Sequence, residues 1–113
     1  MKYALLAYSR ESSAGPRTRQ INPDVAAVLE RPDVTGWLRL QTPESATTVR
    51  TDARKTLLTD GPFVDSKEFL AGLILVEADD LDGALAVARE LQELDLSSAI
   101  EVRPVVGQEL GGG

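Results

Sequence analysis

The chain has 113 residues, with 12 basic and 18 acidic side chains and a net charge of −6. This length suits one domain, and a content of 42% hydrophobic and 27% charged residues is typical of a folded chain. The negative charge argues against a nucleic-acid partner, because phosphate backbones would be repelled. The sequence has no cysteine and no histidine, which excludes thiol chemistry, the commonest general base and the commonest transition-metal ligand.

The hydrophobic residues of the chain do not predict membrane insertion or export. No apolar run reaches the length of about 18 residues that a transmembrane helix needs. The apolar run near the start is too short for a signal peptide and lacks the usual small-residue cleavage site. We therefore predict a cytoplasmic protein with no membrane partner.

The first predicted element is a strand at residues 2–8, which is apolar at almost every position and should be covered on both faces. A polar loop follows at residues 9–20. Asn22 can cap a helix that starts at Pro23, and Pro32 ends this helix after about two turns. Three strands are then predicted, at residues 33–41, 46–50 and 55–59.

The longest predicted strand lies at residues 69–78 and is again apolar on both faces. Strand periodicity puts Leu70, Ile74 and Val76 on one face, and Leu73 and Leu75 on the other. A helix at residues 81–94 and a last strand at residues 99–106 complete the chain. The acidic residues before and within the first turn of that helix are interpreted as capping residues and not as a metal site: Asp79, Asp80 and Asp82.

The order β-α-β-β-β-β-α-β predicts an α+β fold, a ferredoxin-like antiparallel sheet with two helices on one face. Two helices can cover only one face, yet the strands at 2–8 and 69–78 are apolar on both. The same face of another copy is the simplest cover, so we predict a homodimer with sheets packed face to face. Residues 1–106 form the predicted domain, and residues 107–113 a flexible, glycine-rich tail.

The stretch "TDGPFVDSKEF", residues 59–69, combines a sharp turn with several ionisable residues. Asp60 has two interpretations: a turn residue that accepts bonds from the amides ahead of it, or a general base or anchor aimed into a cleft. Lys67 and Glu68 are either a surface pair or site residues. Because they are adjacent, at most one of them can face a cleft from an extended strand.

Four further residues are considered for a binding site. Glu101 and Arg103 are two apart on the last strand and therefore share a face, where Arg103 could bind a carboxylate with both guanidinium arms. The alternative is a solvated sheet edge. Arg50 either joins this cluster or faces solvent, and Trp37 is interpreted as core or interface packing.

The ordered set "TDGPFVDSKEFLAG", "LVEADDLDGALAVARE" and "IEVRPV" resembles the YCII-related family in its DGPF subgroup. The resemblance implies a dimeric α/β barrel of ferredoxin-like subunits, with a conserved polar site in a cleft on the open face of the sheet. Relatives linked to small-molecule enzymology include lyases that remove chloride from chlorinated aromatic intermediates. The wider family often carries a histidine paired with an aspartate, which this chain lacks.

We therefore predict a homodimer that binds a small organic molecule, such as an acid, in a polar cleft without metal or cofactor. If it is an enzyme, the predicted chemistry is proton transfer of the lyase or isomerase type. Asp60 or Glu68 would be the base, and Arg103 would stabilise developing negative charge. Lys67, Glu101 and Arg50 are the candidate ligand-binding residues. The alternative is a non-catalytic dimer that senses a ligand or serves a protein partner.

Overall fold

The structure of the chain, a computed structural model, describes residues 1–10, 21–64 and 66–107. It has two α-helices, α1 (Pro23–Leu29) and α2 (Leu81–Glu93), and one 3₁₀ turn at Pro43–Ser45. The strands are β1 (Lys2–Arg10), β2 (Val34–Arg39), β3 (Thr47–Asp52), β4 (Lys55–Asp60), β5 (Glu68–Glu77) and β6 (Ala99–Pro104). β1 extends through Ser9 and Arg10, which corrects the predicted start of the loop at residue 9. The rest of that loop, residues 11–20, and the predicted tail beyond Gly107 lie outside the described residues.

Four strands form one antiparallel sheet in the order β2-β5-β1-β6. The chain segment that connects β2 to β5 forms a separate hairpin of β3 and β4. This is the ferredoxin-like arrangement, so the predicted fold class and element order are confirmed. The predicted caps Asn22 and Asp80 are confirmed, whereas Asp79 forms no capping bond. The Asn22 side chain accepts a hydrogen bond from the amide of Asp24, and the Asp80 side chain accepts one from Gly83.

The hydrophobic core lies between the two helices and one face of the sheet. Leu5 and Val76 from the sheet and Leu91 from α2 are its largest fully buried side chains. Tyr3, Ile74 and further residues of α1 and α2 surround them. Burial of these alternate positions explains why the strands pair in one register, since a slip of one residue would expose the core side chains.

The opposite side of the sheet, called the open face, has no helix over it among the described residues. Cross-strand pairing puts the following side chains on it: Ala4, Leu6, Tyr8, Gly36, Leu38, Glu68, Leu70, Leu73, Leu75, Glu101 and Arg103. Leu38 and Leu70 are exposed, at 47% and 37%, and Leu6, Leu73 and Leu75 are half-buried. The prediction that the central strands are apolar on both faces is therefore confirmed.

A β-bulge at Ala71 corrects the predicted orientation of one residue. The register of β5 against β1 shifts between Ala7 and Tyr8, so that Tyr8 lies opposite Leu70. Because the extra residue inverts the alternation, Leu70 points to the open face and not to the core side with Ile74. Glu68, two residues earlier, follows Leu70 onto the open face.

The hairpin Thr47–Asp60, called the arm, pairs only with itself and does not join the four-stranded sheet. Every residue of the arm is exposed except Thr48, which is half-buried. Its two-residue turn has Ala53 and Arg54 at positive φ, 49° and 68°, as expected for the tightest hairpin turn. No helix in the described part of the chain has the length and apolar character needed to cross a membrane.

Candidate functional site

A cleft of about 690 Å³ opens where the open face meets the two segments that lead into and out of the arm. Its floor is formed by Tyr8, Phe69 and Leu70 and its polar rim by Glu68 and Ser45; the remaining lining residues are Leu40–Pro43, Ala46 and Pro62–Val64. The volume falls within the range of about 300–1,000 Å³ that small-molecule sites occupy. A second cavity, between α1 and β2, measures only about 30 Å³, which is room for one water molecule.

The turn after β4 builds one wall of this cleft. Gly61 has a φ of +96°, a conformation that side-chain-bearing residues rarely adopt. Its amide donates to the carbonyl of Ala46 at 2.8 Å, and its carbonyl accepts from the Thr48 hydroxyl at 2.7 Å. These two bonds tie the turn to the start of the arm and hold Phe63 against the cleft.

The Asp60 carboxylate does not line the cleft. Asp60 is the last residue of β4, lies opposite Thr47 and is exposed. No hydrogen bond joins its side chain to the other described residues, so the interpretation of Asp60 as a turn residue that accepts bonds from the amides ahead of it finds no support. Gly61, and not Asp60, holds the turn together.

Glu68 is the predicted site residue that lies in the cleft. It is the first residue of β5, opposite Arg10 of β1, and its carboxylate lies 3.6 Å from the Arg10 guanidinium. Its backbone amide donates to the Ser66 hydroxyl at 3.2 Å. The neighbouring Lys67 precedes the strand, is exposed and does not line the cleft.

Glu101 and Arg103 share the open face, as their spacing predicted, and form an ion pair of 2.5 Å. They lie opposite Leu6 and Ala4. The pKa of Arg103 is raised, because the guanidinium donates a hydrogen bond to Glu101 and is attracted by its charge, with a smaller contribution from Tyr8. The guanidinium is therefore already engaged by a carboxylate.

The predicted residues do not meet at one point within a single chain. Glu68 and Glu101 lie on the two strands that flank β1, and their partners on β1 are four residues apart. Strand spacing and rise then give a separation of roughly 16 Å between the two residues. Arg50, on the arm, lies with its guanidinium carbon 5.9 Å from the ring centre of Phe63, within the range of a cation–π contact. Arg50 thus supports the wall of the cleft from the arm side.

Tyr8 is the residue that sequence reasoning missed. It lies in the cleft, opposite Leu70 on one side and Ala99 on the other, and its phenol is close enough to Arg103 to affect its pKa. The sequence signal was its place at the end of the first strand, at even spacing from Leu6 on the open face. Trp37, by contrast, points to the helix side at the edge of the sheet and is 45% exposed.

Comparison with known proteins identifies the family of this chain. Residues 1–108 match the YCII-related domain. The chain belongs to the YCII-related family. It is 35% identical, over 114 residues, to a protein of Rhizobium meliloti (strain 1021) whose name says only that it is uncharacterized. The alignment covers 93% of this YCII-related chain and 92% of that relative.

Proposed function

We propose that this YCII-related protein binds a small organic molecule in the cleft. The observation that carries the proposal is the cleft itself: about 690 Å³, lined mainly by apolar side chains, with Tyr8 and Glu68 among the lining residues. Such a combination of apolar lining and few polar groups fixes both affinity and orientation. Organic acids are the first class to test, because Arg10 and Arg103 lie on the same face.

We further propose that Glu68 is the base if the bound molecule is transformed. The Glu68 carboxylate could remove a proton from a bound carbon or oxygen acid, while the Tyr8 phenol, from a residue that lines the same cleft, donates a hydrogen bond to the charge that develops. This would be a cofactor-free reaction of the lyase or isomerase type. Arg103 lies farther along the open face. It would bind a distant anionic group of a larger ligand, which would replace Glu101 as the partner of the guanidinium.

The finer family assignment and the assembly are part of the same proposal. We assign the chain to the DGPF subgroup on Asp60-Gly61-Pro62-Phe63, because Gly61 and Phe63 of this motif build the cleft wall.

We propose a homodimer, since the open face exposes leucines that a second sheet would cover. The absence of cysteine is consistent with a cytoplasmic location.

The experiment is a screen of small aromatic and aliphatic carboxylic acids, with benzoate as the reference, followed by backbone amide NMR of the labelled protein. We expect shifts at Tyr8, Phe63 and Glu68. For a hit, Tyr8→Phe should weaken binding about tenfold, the usual value of a hydrogen bond to a charged group. Glu68→Gln should strengthen binding of the acid, because the variant removes a carboxylate that repels the anion. Lys67→Gln is the matched control, adjacent to Glu68 but outside the cleft. Shifts confined to residues remote from the cleft would refute the proposal.

A second candidate function is a ligand-sensing or protein-interaction dimer without catalysis. The uncovered leucines of the open face favour it, because they support an interface whether or not chemistry occurs. Turnover separates the two candidates. A bound acid that is released unchanged by the wild-type protein and by Glu68→Gln alike favours the sensor.

A further inference from the structure

The arm exposes apolar side chains that nothing in the described chain covers. Val49 and Leu58 lie opposite each other on one face of the hairpin and are 64% and 72% exposed. Phe63 and Val64, just beyond the arm, are 72% and 68% exposed. A two-stranded hairpin without a packed face is only marginally stable in water. An arm with exposed apolar side chains is therefore expected to pack against a partner surface.

The arm is attached to the body at the cleft. The two bonds of Gly61, to Ala46 and Thr48, lie at its base, and Phe63 lines the cleft together with Leu70 of the open face. Phe63 therefore links the base of the arm to the apolar surface of the open face. A single partner could cover both.

Charge favours a second copy of this chain as that partner. The arm carries Arg50, Arg54 and Lys55 against Asp52 and Asp60, a net charge of +1, whereas the whole chain carries −6. The arm is thus a basic projection from an acidic protein and is attracted to the body of another copy. Each copy offers one arm and one open face, which is the self-complementary arrangement that a two-fold dimer requires.

We propose that the arm of each subunit crosses to the other subunit and covers the mouth of its cleft, with the Val49–Leu58 pair packed over that opening. This inference rests on the proposed function of the cleft and adds that each site is built from two chains. Each cleft is then closed by a side-chain pair from the other copy, which excludes water from the site.

The first test is Leu58→Glu, with Thr59→Glu as its matched control. Thr59 is the next residue along β4 and is also exposed, but its side chain lies on the other face of the arm. Sedimentation equilibrium should find the dimer dissociation constant raised about 100-fold or more by Leu58→Glu, because an interface would bury an unpaired charge, and little changed by Thr59→Glu. Equal effects of the two variants, or a monomeric wild type, would overturn the inference.

The second test does not depend on the stability of a variant. Because the chain has no cysteine, Leu58→Cys and Ser45→Cys each carry a single thiol. Mixed and oxidised, they should form a disulfide between chains about tenfold more readily than Thr59→Cys with Ser45→Cys, since only a close pair of Cα atoms can be bridged. Equal yields would show that the arm does not reach the partner's cleft.

The two tests separate this inference from the proposed function. If the acid screen finds no ligand but Leu58 crosslinks to Ser45 of another copy, the arm contact stands and the binding proposal fails. If acids bind at Glu68 and the crosslink is absent, the binding proposal stands and the shared site fails. Crosslinking only to a foreign protein would also overturn the inference, because the partner would then not be a second copy.

Discussion

Gly72 of β5 lies against the backbone of the neighbouring strand β2. A Cβ atom at this position would lie 2.8 Å from the backbone carbonyl oxygen of Leu38, a distance that forces the strands apart. We expect Gly72→Ala to lower the free energy of unfolding by about 1–3 kcal/mol, the usual cost of overpacking. Urea denaturation of the variant checks this.

Gly36→Ala is the control for that experiment, because Gly36 lies on β2 in the same sheet and a Cβ there would meet nothing within 4 Å. Its stability should match the wild type or rise slightly, since alanine restricts the unfolded chain. Equal losses in the two variants would mean that the close approach at Gly72 does not limit packing.

Glu77 makes the stability of the fold depend on pH in the acidic range. Its pKa lies below the usual range, first because it accepts a hydrogen bond from the N-terminal ammonium at 2.6 Å and second because of Lys2 at 3.2 Å. A pKa lowered on folding stabilises the protein above the unfolded-state pKa, near 4.3, and this contribution disappears as the pH falls through the folded-state pKa.

Glu77→Gln should therefore flatten the loss of stability with falling pH below about 4, measured as the urea midpoint at a series of pH values. The control is Glu93→Gln, since Glu93 is also exposed and forms no ion pair with the described residues. This prediction would be contradicted if the urea midpoint of Glu77→Gln fell with decreasing pH as steeply as that of the wild type.

The N-terminus of α2 depends on a single side chain. Asp80 accepts a hydrogen bond from the amide of Gly83 at 3.0 Å, whereas the preceding Asp79 forms no such bond. We expect Asp80→Ala to lower the free energy of unfolding by about 1 kcal/mol, the usual value of a lost cap, and Asp79→Ala to change it by less than about 0.5 kcal/mol. Thermal unfolding followed by circular dichroism distinguishes them, and the reverse ranking would assign the cap to Asp79.

The elements of this fold could be predicted from the sequence because each has a local signal. Helical spacing of apolar residues located α2, and Asn22-Pro23 located the start of α1. The orientation of Leu70 could not be predicted, since a bulge depends on how two distant strands pair. The separate pairing of the arm was missed for the same reason: β3 and β4 carry strand-forming residues that do not reveal which sheet they join.

Strand periodicity could predict which candidate residues share a face of the sheet. Two-residue spacing put Glu101 and Arg103 on one face, and the same rule applied beyond the bulge puts Glu68 there. Tyr8 was overlooked because its neighbours in the cleft come from residues 40–46 and 62–64, far away in sequence. A site assembled from four segments leaves little trace in any one of them.

In the part of the molecule that the structure describes, the ferredoxin-like sheet has helices on one face and none on the other. The helix side forms a complete core, with no buried polar or charged residue among the described positions. The open face carries half-buried leucines together with the Glu101–Arg103 ion pair. Burial in a dimer would strengthen that pair electrostatically, while the leucines supply the apolar area that drives association.

A dimer of this kind ties folding to concentration. If the open faces pack together, unfolding also separates the subunits, so dilution favours the unfolded chain by mass action. We expect the thermal midpoint of the wild type to fall as the protein is diluted, with each tenfold dilution removing about 1.4 kcal/mol of apparent stability per dimer.

Leu73→Lys, at the centre of the open face, should abolish this dependence, because a buried lysine would prevent association. Val106→Lys, at a fully exposed position after β6, is the control and should keep it. A wild-type midpoint that stays constant over a hundredfold range of concentration would mean that the open face is not covered by a second copy.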